Sequence, residues 1–173
     1  MIRMPGLVSA LAMAAALSGC ATMGGGSDMP PVPASAMANV DYVRDVHSYA
    51  RPEIARVRHV SLDLAADFEA QVLSGTATLD VQGVPGANEV VLDVRDLDIR
   101  NVRDASGAPL QYETGAPAEF LGQPLTIRFP ALAPGATQRI VIDYATRPDA
   151  AALQWLTPQQ TAGGRLPYLF SQG

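Results

Sequence analysis

The amino-acid sequence predicts an all-β domain with a largely antiparallel, saddle- or sandwich-like architecture. Three observations lead to this prediction. Apolar residues occupy every second position along several short segments, the segments begin about ten residues apart, and Pro, Gly, Asn and Asp residues separate them. After the amino-terminal apolar run, no stretch has the three-to-four-residue apolar spacing that is typical of a helix.

The strands follow one another along the chain with turn residues between them. The first is predicted over 58–68, and its apolar side chains are Val60, Leu62, Leu64, Ala66 and Phe68. The later strands are predicted at 73–81, 90–94, 97–102, 110–113, 125–129 and 140–144. A hairpin at Ala70 and Gln71 joins the first two strands, and a single helical turn is the most that the sequence favours at 149–153. Each strand is expected to bury its apolar face and to expose its polar face.

Length and composition restrict the possible functions. With 173 residues, of which 48% are hydrophobic and 17% charged, the chain suits one folded domain with a tail. Its 17 acidic and 12 basic residues give a net charge of -5, which excludes the basic surface that a nucleic-acid-binding protein requires. The single cysteine excludes an internal disulfide framework and a thiolate zinc cluster.

The amino terminus has the pattern of a lipoprotein signal peptide, over residues 1–19. Arg3 precedes an apolar run that is too short to span a bilayer, and Leu17-Ser18-Gly19 leads to Cys20. This order resembles the bacterial lipobox, so Cys20 is the predicted lipidation site and the predicted membrane anchor. An ordinary cleaved signal peptide with an incidental cysteine is the alternative.

The segment after the anchor, 20–40, is predicted to be a flexible tether because it is rich in Gly, Pro and small residues without periodicity. The domain itself is predicted over 41–173. By analogy with bacterial lipoproteins, Ala21 in place of an aspartate favours the outer membrane, with the domain facing the periplasm.

Catalytic and metal-binding patterns are missing from the sequence. The two histidines, His47 and His59, are not arranged as H-E-x-x-H, and there is no G-x-S-x-G motif. Asp93, Asp96 and Asp98 could suggest calcium, but a solvated strand face is the preferred interpretation because no loop scaffold accompanies them. We therefore predict no catalytic residue and no metal ligand in this chain.

Two stretches of sequence resemble a known family. The first comprises 45–52 and 57–64, which contain His59-Val60-Ser61-Leu62-Asp63-Leu64, and it continues with Asp67-Phe68 and with Leu73-Ser74-Gly75-Thr76-Ala77. It is similar to the opening of the aminopeptidase N family of zinc metallopeptidases (peptidase family M1). The second reads ALQWLTPQQT over 152–161 and PYLFSQ over 167–172. It resembles the leukotriene hydrolase and aminopeptidase B branch of that family.

The resemblance implies a noncatalytic amino-terminal β domain. In the family this domain caps a catalytic domain that carries the H-E-x-x-H helix and zinc, neither of which this sequence contains. No cofactor is therefore expected in this chain, and zinc is expected in the missing catalytic domain. Gln172 matches the first of the family's substrate-contacting glutamines, and Gly173 follows it, so the resemblance implies substrate binding at these two positions.

Three functions follow as alternatives. The preferred one is the amino-terminal part of a lipid-anchored aminopeptidase, with the missing catalytic domain, a peptide substrate and the membrane as partners. The second is a stand-alone envelope lipoprotein that binds a partner or peptide by strand addition, and the third is a structural envelope module. Since the family's domain continues past this motif, we expect an incomplete sheet, and an isolated chain that associates readily and is inactive alone.

Overall fold

The computed structural model describes residues 45–172, and in this part of the chain every element except one short 3₁₀ helix is a β-strand. The strands are β1 (Ala55–Asp67), β2 (Val72–Gly83), β3 (Glu89–Val94), β4 (Leu97–Asp104), β5 (Gln111–Thr114), β6 (Gln123–Arg128), β7 (Thr137–Thr146), β8 (Leu153–Leu156) and β9 (Tyr168–Ser171). The 3₁₀ helix is Pro158–Gln160. The all-β prediction is confirmed, and each of the seven predicted strands is present.

Antiparallel pairing builds three sheets. A four-stranded sheet has the order β1-β2-β7-β4, a three-stranded sheet has the order β3-β6-β5, and β8 pairs with β9 in a separate hairpin. The predicted signal peptide, Cys20, the tether and Gly173 lie outside the described residues. No helix within residues 45–172 has the length and apolar character needed to cross a membrane.

The core lies between the two larger sheets. Val81, Ile127 and Ile140 are fully buried, and Val102 and Leu125 are almost so. They come from β2, β4, β6 and β7, and they belong to one continuous cluster. Except for Val81, whose neighbour Gln82 is also buried, each alternates with more exposed residues along its strand, which is the pattern expected when only one face of each sheet is covered.

The outer half of β1 departs from the predicted burial. Its alternation does mark a strand, but Val60 and Leu62 are 51% and 58% exposed, whereas Ala55 at the start of the strand is 5% exposed. The cause is the difference in strand length, because β1 has 13 residues and β3 and β6 have 6 each. The three-stranded sheet therefore covers only one end of the four-stranded sheet.

Two local features of β1 and its turn were not predicted. The register shifts between Val57 and His59, so a β-bulge at Arg58 places Val57 and Val60 on the same face of the sheet. At the other end, Asp67 Oδ1 accepts hydrogen bonds from the Glu69 and Ala70 N–H groups, at 3.0 and 2.8 Å. This side-chain turn, with Gln71 at a φ of 56°, closes the hairpin to β2.

The helical turn considered at 149–153 does not form. The Ala150 N–H donates to the Arg147 carbonyl, and the Leu153 N–H donates to the Ala150 carbonyl, so the chain makes two tight turns before β8. The strands β8 and β9 were not predicted from periodicity, because four residues are too few to show a clear alternation.

Candidate functional site

The hairpin of β8 and β9 carries the residues that the second resemblance singled out. Trp155 pairs with Leu169, and Leu153 pairs with Ser171. Gln172 comes directly after β9. Arg165 is the one residue of 153–172 with an Arg, Lys, Asp or Glu side chain, so the hairpin presents a nearly neutral surface.

Gln172 is held by its backbone. Its N–H donates a 3.0 Å hydrogen bond to the carbonyl of Ala152, which extends the β8–β9 pairing by one step. The side chain is exposed. An amide of this kind offers a donor and an acceptor without adding charge, so it can bind either polar end of a peptide group.

The connection between β8 and β9 is braced by two side chains of the same motif. The Thr157 N–H donates to Gln160 Oε1 at 2.9 Å. The hydroxyl of Thr161 lies within hydrogen-bonding distance of two carbonyl oxygens, 2.9 Å from that of Pro158 and 2.7 Å from that of Leu166. Gln160 and Thr161 thus hold the loop in place.

One ring contact and two hydrogen bonds attach the hairpin and the loop before it to the rest of the domain. The Trp155 ring packs edge-to-face on Phe68, with the ring centroids 5.3 Å apart and the planes at 89°. In the preceding loop, the Ala151 N–H donates to Asp96 Oδ2 at 3.2 Å, and the Arg147 N–H donates to the Asp96 carbonyl at 2.9 Å. The β1–β2 turn and the β3–β4 turn therefore both fix the position of Gln172.

Curated relatives of this chain are hydrolases. Leukotriene A-4 hydrolase of Xenopus laevis is 36% identical over 130 residues, covering 74% of this chain and 21% of the relative. Leucine aminopeptidase 2 of Yarrowia lipolytica is 36% identical over 129 residues, covering 75% of this chain and 20% of the relative. No protein-family model matches the sequence.

The fold agrees with this similarity. The structure of yeast LTA4 hydrolase in complex with bestatin superposes with a TM-score of 0.67 and 28% identity, covering 78% of this chain and 21% of that one. The chain is homologous to the amino-terminal region of the M1 zinc metallopeptidases. It spans about a fifth of the length of the relatives that it matches.

The zinc of M1 enzymes has no binding site in the described part of this chain. Among residues 45–172, no three His, Cys, Asp or Glu side chains are grouped so that they could hold a metal ion. His47 Nδ1 lies 3.6 Å from Asp45 Oδ1, and both side chains are exposed. His59 is exposed on β1, opposite Asp80 of β2 in the register.

The three aspartates considered for calcium have separate structural roles. Asp93 accepts hydrogen bonds from the Tyr49 N–H at 2.8 Å and from the Ser48 hydroxyl at 2.6 Å. Asp96 holds the loop before β8, and Asp98 is exposed on β4. Asp93 therefore attaches the chain that enters from the amino terminus to β3, the first strand of the three-stranded sheet.

Sequence reasoning missed the residues that position Gln172. Phe68 was assigned only to the end of a strand, and Asp96 was considered as a calcium ligand but interpreted as part of a solvated strand face. The positive φ of Asp96, 55°, places it in a turn, where aspartate is better tolerated than most residues. Its place between two strand segments was the one signal that could have identified this turn.

Proposed function

We propose that residues 41–173 form the noncatalytic amino-terminal domain of a lipid-anchored zinc aminopeptidase, an enzyme that removes amino-terminal residues from peptides. In this proposal the domain contributes to the substrate entrance of a catalytic domain that lies outside the given sequence. The homology to leukotriene A-4 hydrolase and to leucine aminopeptidase 2 is the observation that carries it.

The role proposed for Gln172 is to bind the amino-terminal residue of the substrate. Its support is the combination of a fixed backbone and an exposed, uncharged amide at the end of β9. Gln160 and Thr161 hold the loop and the Phe68–Trp155 pair attaches the hairpin, so the backbone that carries the amide is positioned before a peptide binds. Zinc, held by the catalytic domain, would polarise the scissile carbonyl.

The test of this function uses the reading frame beyond Gly173. We expect it to encode H-E-x-x-H, and the longer chain to hydrolyse leucine 4-nitroanilide when zinc is supplied. In that longer chain, Gln172→Ala is expected to lower kcat/KM about fivefold, because one hydrogen bond contributes roughly 1 kcal/mol.

Gln159→Ala is the matched control, since Gln159 is an exposed glutamine of the same hairpin. It should leave kcat/KM unchanged. A reading frame without a zinc-binding helix would contradict the aminopeptidase assignment. Equal losses of kcat/KM in the two variants would contradict the role of Gln172 but not the aminopeptidase assignment.

Lipid anchoring through Cys20 is the second part of the proposal, and the lipobox-like sequence before Cys20 supports it. The anchor would hold the domain at a bacterial envelope membrane, with the outer membrane and its periplasmic face as the expected location.

Metabolic labelling with an alkyne analogue of palmitate tests the anchor. The full chain expressed in a Gram-negative host should incorporate the label, and Cys20→Ala should lose it entirely, because the acyl-bearing lipid is attached to the Cys20 thiol as a thioether. Ser27→Ala, a small change in the tether, should keep the label. Label retained in Cys20→Ala would contradict lipidation at this position.

A further inference from the structure

The outer edge of β1 is one of the two edges of the four-stranded sheet. In the described part of the chain β1 pairs only with β2, and it stands first in the strand order. Residues His59 to Asp63 are all exposed. Their outward backbone N–H and C=O groups are therefore available for pairing with another strand.

This edge has few of the features that prevent strands from pairing between molecules. Residues 59–67 contain no lysine and no proline, and the apolar side chains of Val60 and Leu62 are more than half exposed. The bulge at Arg58 disrupts the edge only before His59. Among residues 45–172, no strand pairs with the outer side of the regular segment that follows, so this segment can extend the sheet.

We propose that two copies of this chain associate through antiparallel pairing of their β1 strands. The twofold axis passes between the Ser61 residues of the two copies, which lie opposite each other. Such an axis is perpendicular to the sheet, so it keeps the apolar faces of both copies on the same side. Residues of equal parity then pair across the interface. The two four-stranded sheets would form one continuous sheet.

Side-chain charge selects this register. An axis at His59 would place the two His59 side chains opposite each other, and an axis at Asp63 would do the same with the two Asp63 side chains. An axis at Val60 would pair His59 with Ser61, and an axis at Leu62 would pair Asp63 with Ser61. Only the axis at Ser61, among these five, pairs His59 of each copy with Asp63 of the other. It also pairs Val60 with Leu62 on the apolar face, twice.

The new pairs would continue a row of charges that already crosses the polar face of the sheet. Asp80 lies opposite His59 in the register and Arg139 of β7 lies opposite Asp80. Arg139 donates to both carboxylate oxygens of Asp80, from Nε at 2.7 Å and from a terminal nitrogen at 2.9 Å. These bonds hold the pKa of Asp80 below its usual value. With Asp63 of the second copy added, acidic and basic groups alternate across four strands.

The interface is small. Because the bulge ends the matched segment, the ladder contains five residues from each chain. The surface buried by so short a ladder falls below the roughly 1,200 Å² that stable complexes bury. We therefore expect a weak dimer, with a dissociation constant of about 10 µM or higher.

Cysteine cross-linking tests the register. In a Cys20→Ala background, Ser61→Cys places the two thiols on the axis, where paired Cα atoms are about 4.5–5.5 Å apart and a disulfide can form. Ala65→Cys is the matched control, an exposed residue on the same strand and face whose copies would lie about 27 Å apart. With the full chain in mild detergent and mild oxidant, we expect at least fivefold more covalent dimer from Ser61→Cys. Equal yields, or no dimer from Ser61→Cys, would overturn the proposal.

Sedimentation velocity without cysteines gives an independent measurement. Asp63→Arg should weaken the association about tenfold, because it places arginine opposite His59. Asp98→Arg makes the same charge change at an exposed position of β4, the opposite edge of the sheet, and should have no effect. Equal weakening by both variants would show that net charge, and not the β1 pairing, controls the association.

Discussion

Ile140→Ala is expected to lower the free energy of unfolding by about 3–4 kcal/mol, because it removes buried methylene groups and leaves a cavity. Ile140 lies on β7, is fully buried, and belongs to the cluster between the two larger sheets. Urea unfolding followed by circular dichroism measures the loss. The fluorescence of Trp155, the one tryptophan of the chain, gives a second signal from the hairpin.

Leu62→Ala is the matched control for this change. Leu62 has the same side-chain volume and lies on the same face of the same sheet, but it is 58% exposed. We expect its replacement to change the free energy of unfolding by less than about 1 kcal/mol. Similar losses for the two variants would contradict the finding that the three-stranded sheet covers only one end of the four-stranded sheet.

This contrast shows where sequence reasoning succeeds and where it stops. Alternation is a local property, so it identified the strands that contain Ile140 and Leu62 equally well. Whether an apolar face is covered depends on the length of the strands packed against it, and these come from distant parts of the sequence. The exposure of Val60 and Leu62 could therefore not be predicted from the β1 sequence.

The candidate site was predicted only in part. The motif similarity pointed to Gln172, but it did not indicate that Gln160 and Thr161 brace the loop or that Phe68 supports Trp155. The Phe68–Trp155 contact joins the turn after β1 to β8, and no local pattern encodes the relative positions of two residues so distant in sequence. The bonds of Gln160 and Thr161 are local, and the T-x-x-Q order of Thr157 and Gln160 was the signal that could have predicted the first of them. The assignment of Gln172 to substrate binding stays a prediction.

Gly75→Ala is the second change with a large expected effect, and it also explains a glycine of the first motif. Gly75 has a φ of 153°, and a Cβ atom built there would lie 2.1 Å from the Asp63 carbonyl oxygen and 3.0 Å from the Leu64 Cα. The β1 backbone approaches β2 too closely for a side chain at this point. We expect a loss of at least about 2 kcal/mol in the free energy of unfolding.

Gly107→Ala separates this steric effect from the conformational one. Gly107 also has a positive φ, 89°, but a Cβ atom there would have no atom within 4 Å. Its replacement should therefore lose only the backbone term, about 1 kcal/mol. Because β1 is an edge strand, it could also relieve the clash at Gly75 by moving away from β2. Equal losses in the two variants would indicate that such a movement is easy, and that β1 is held to β2 more loosely than its twelve register pairs suggest.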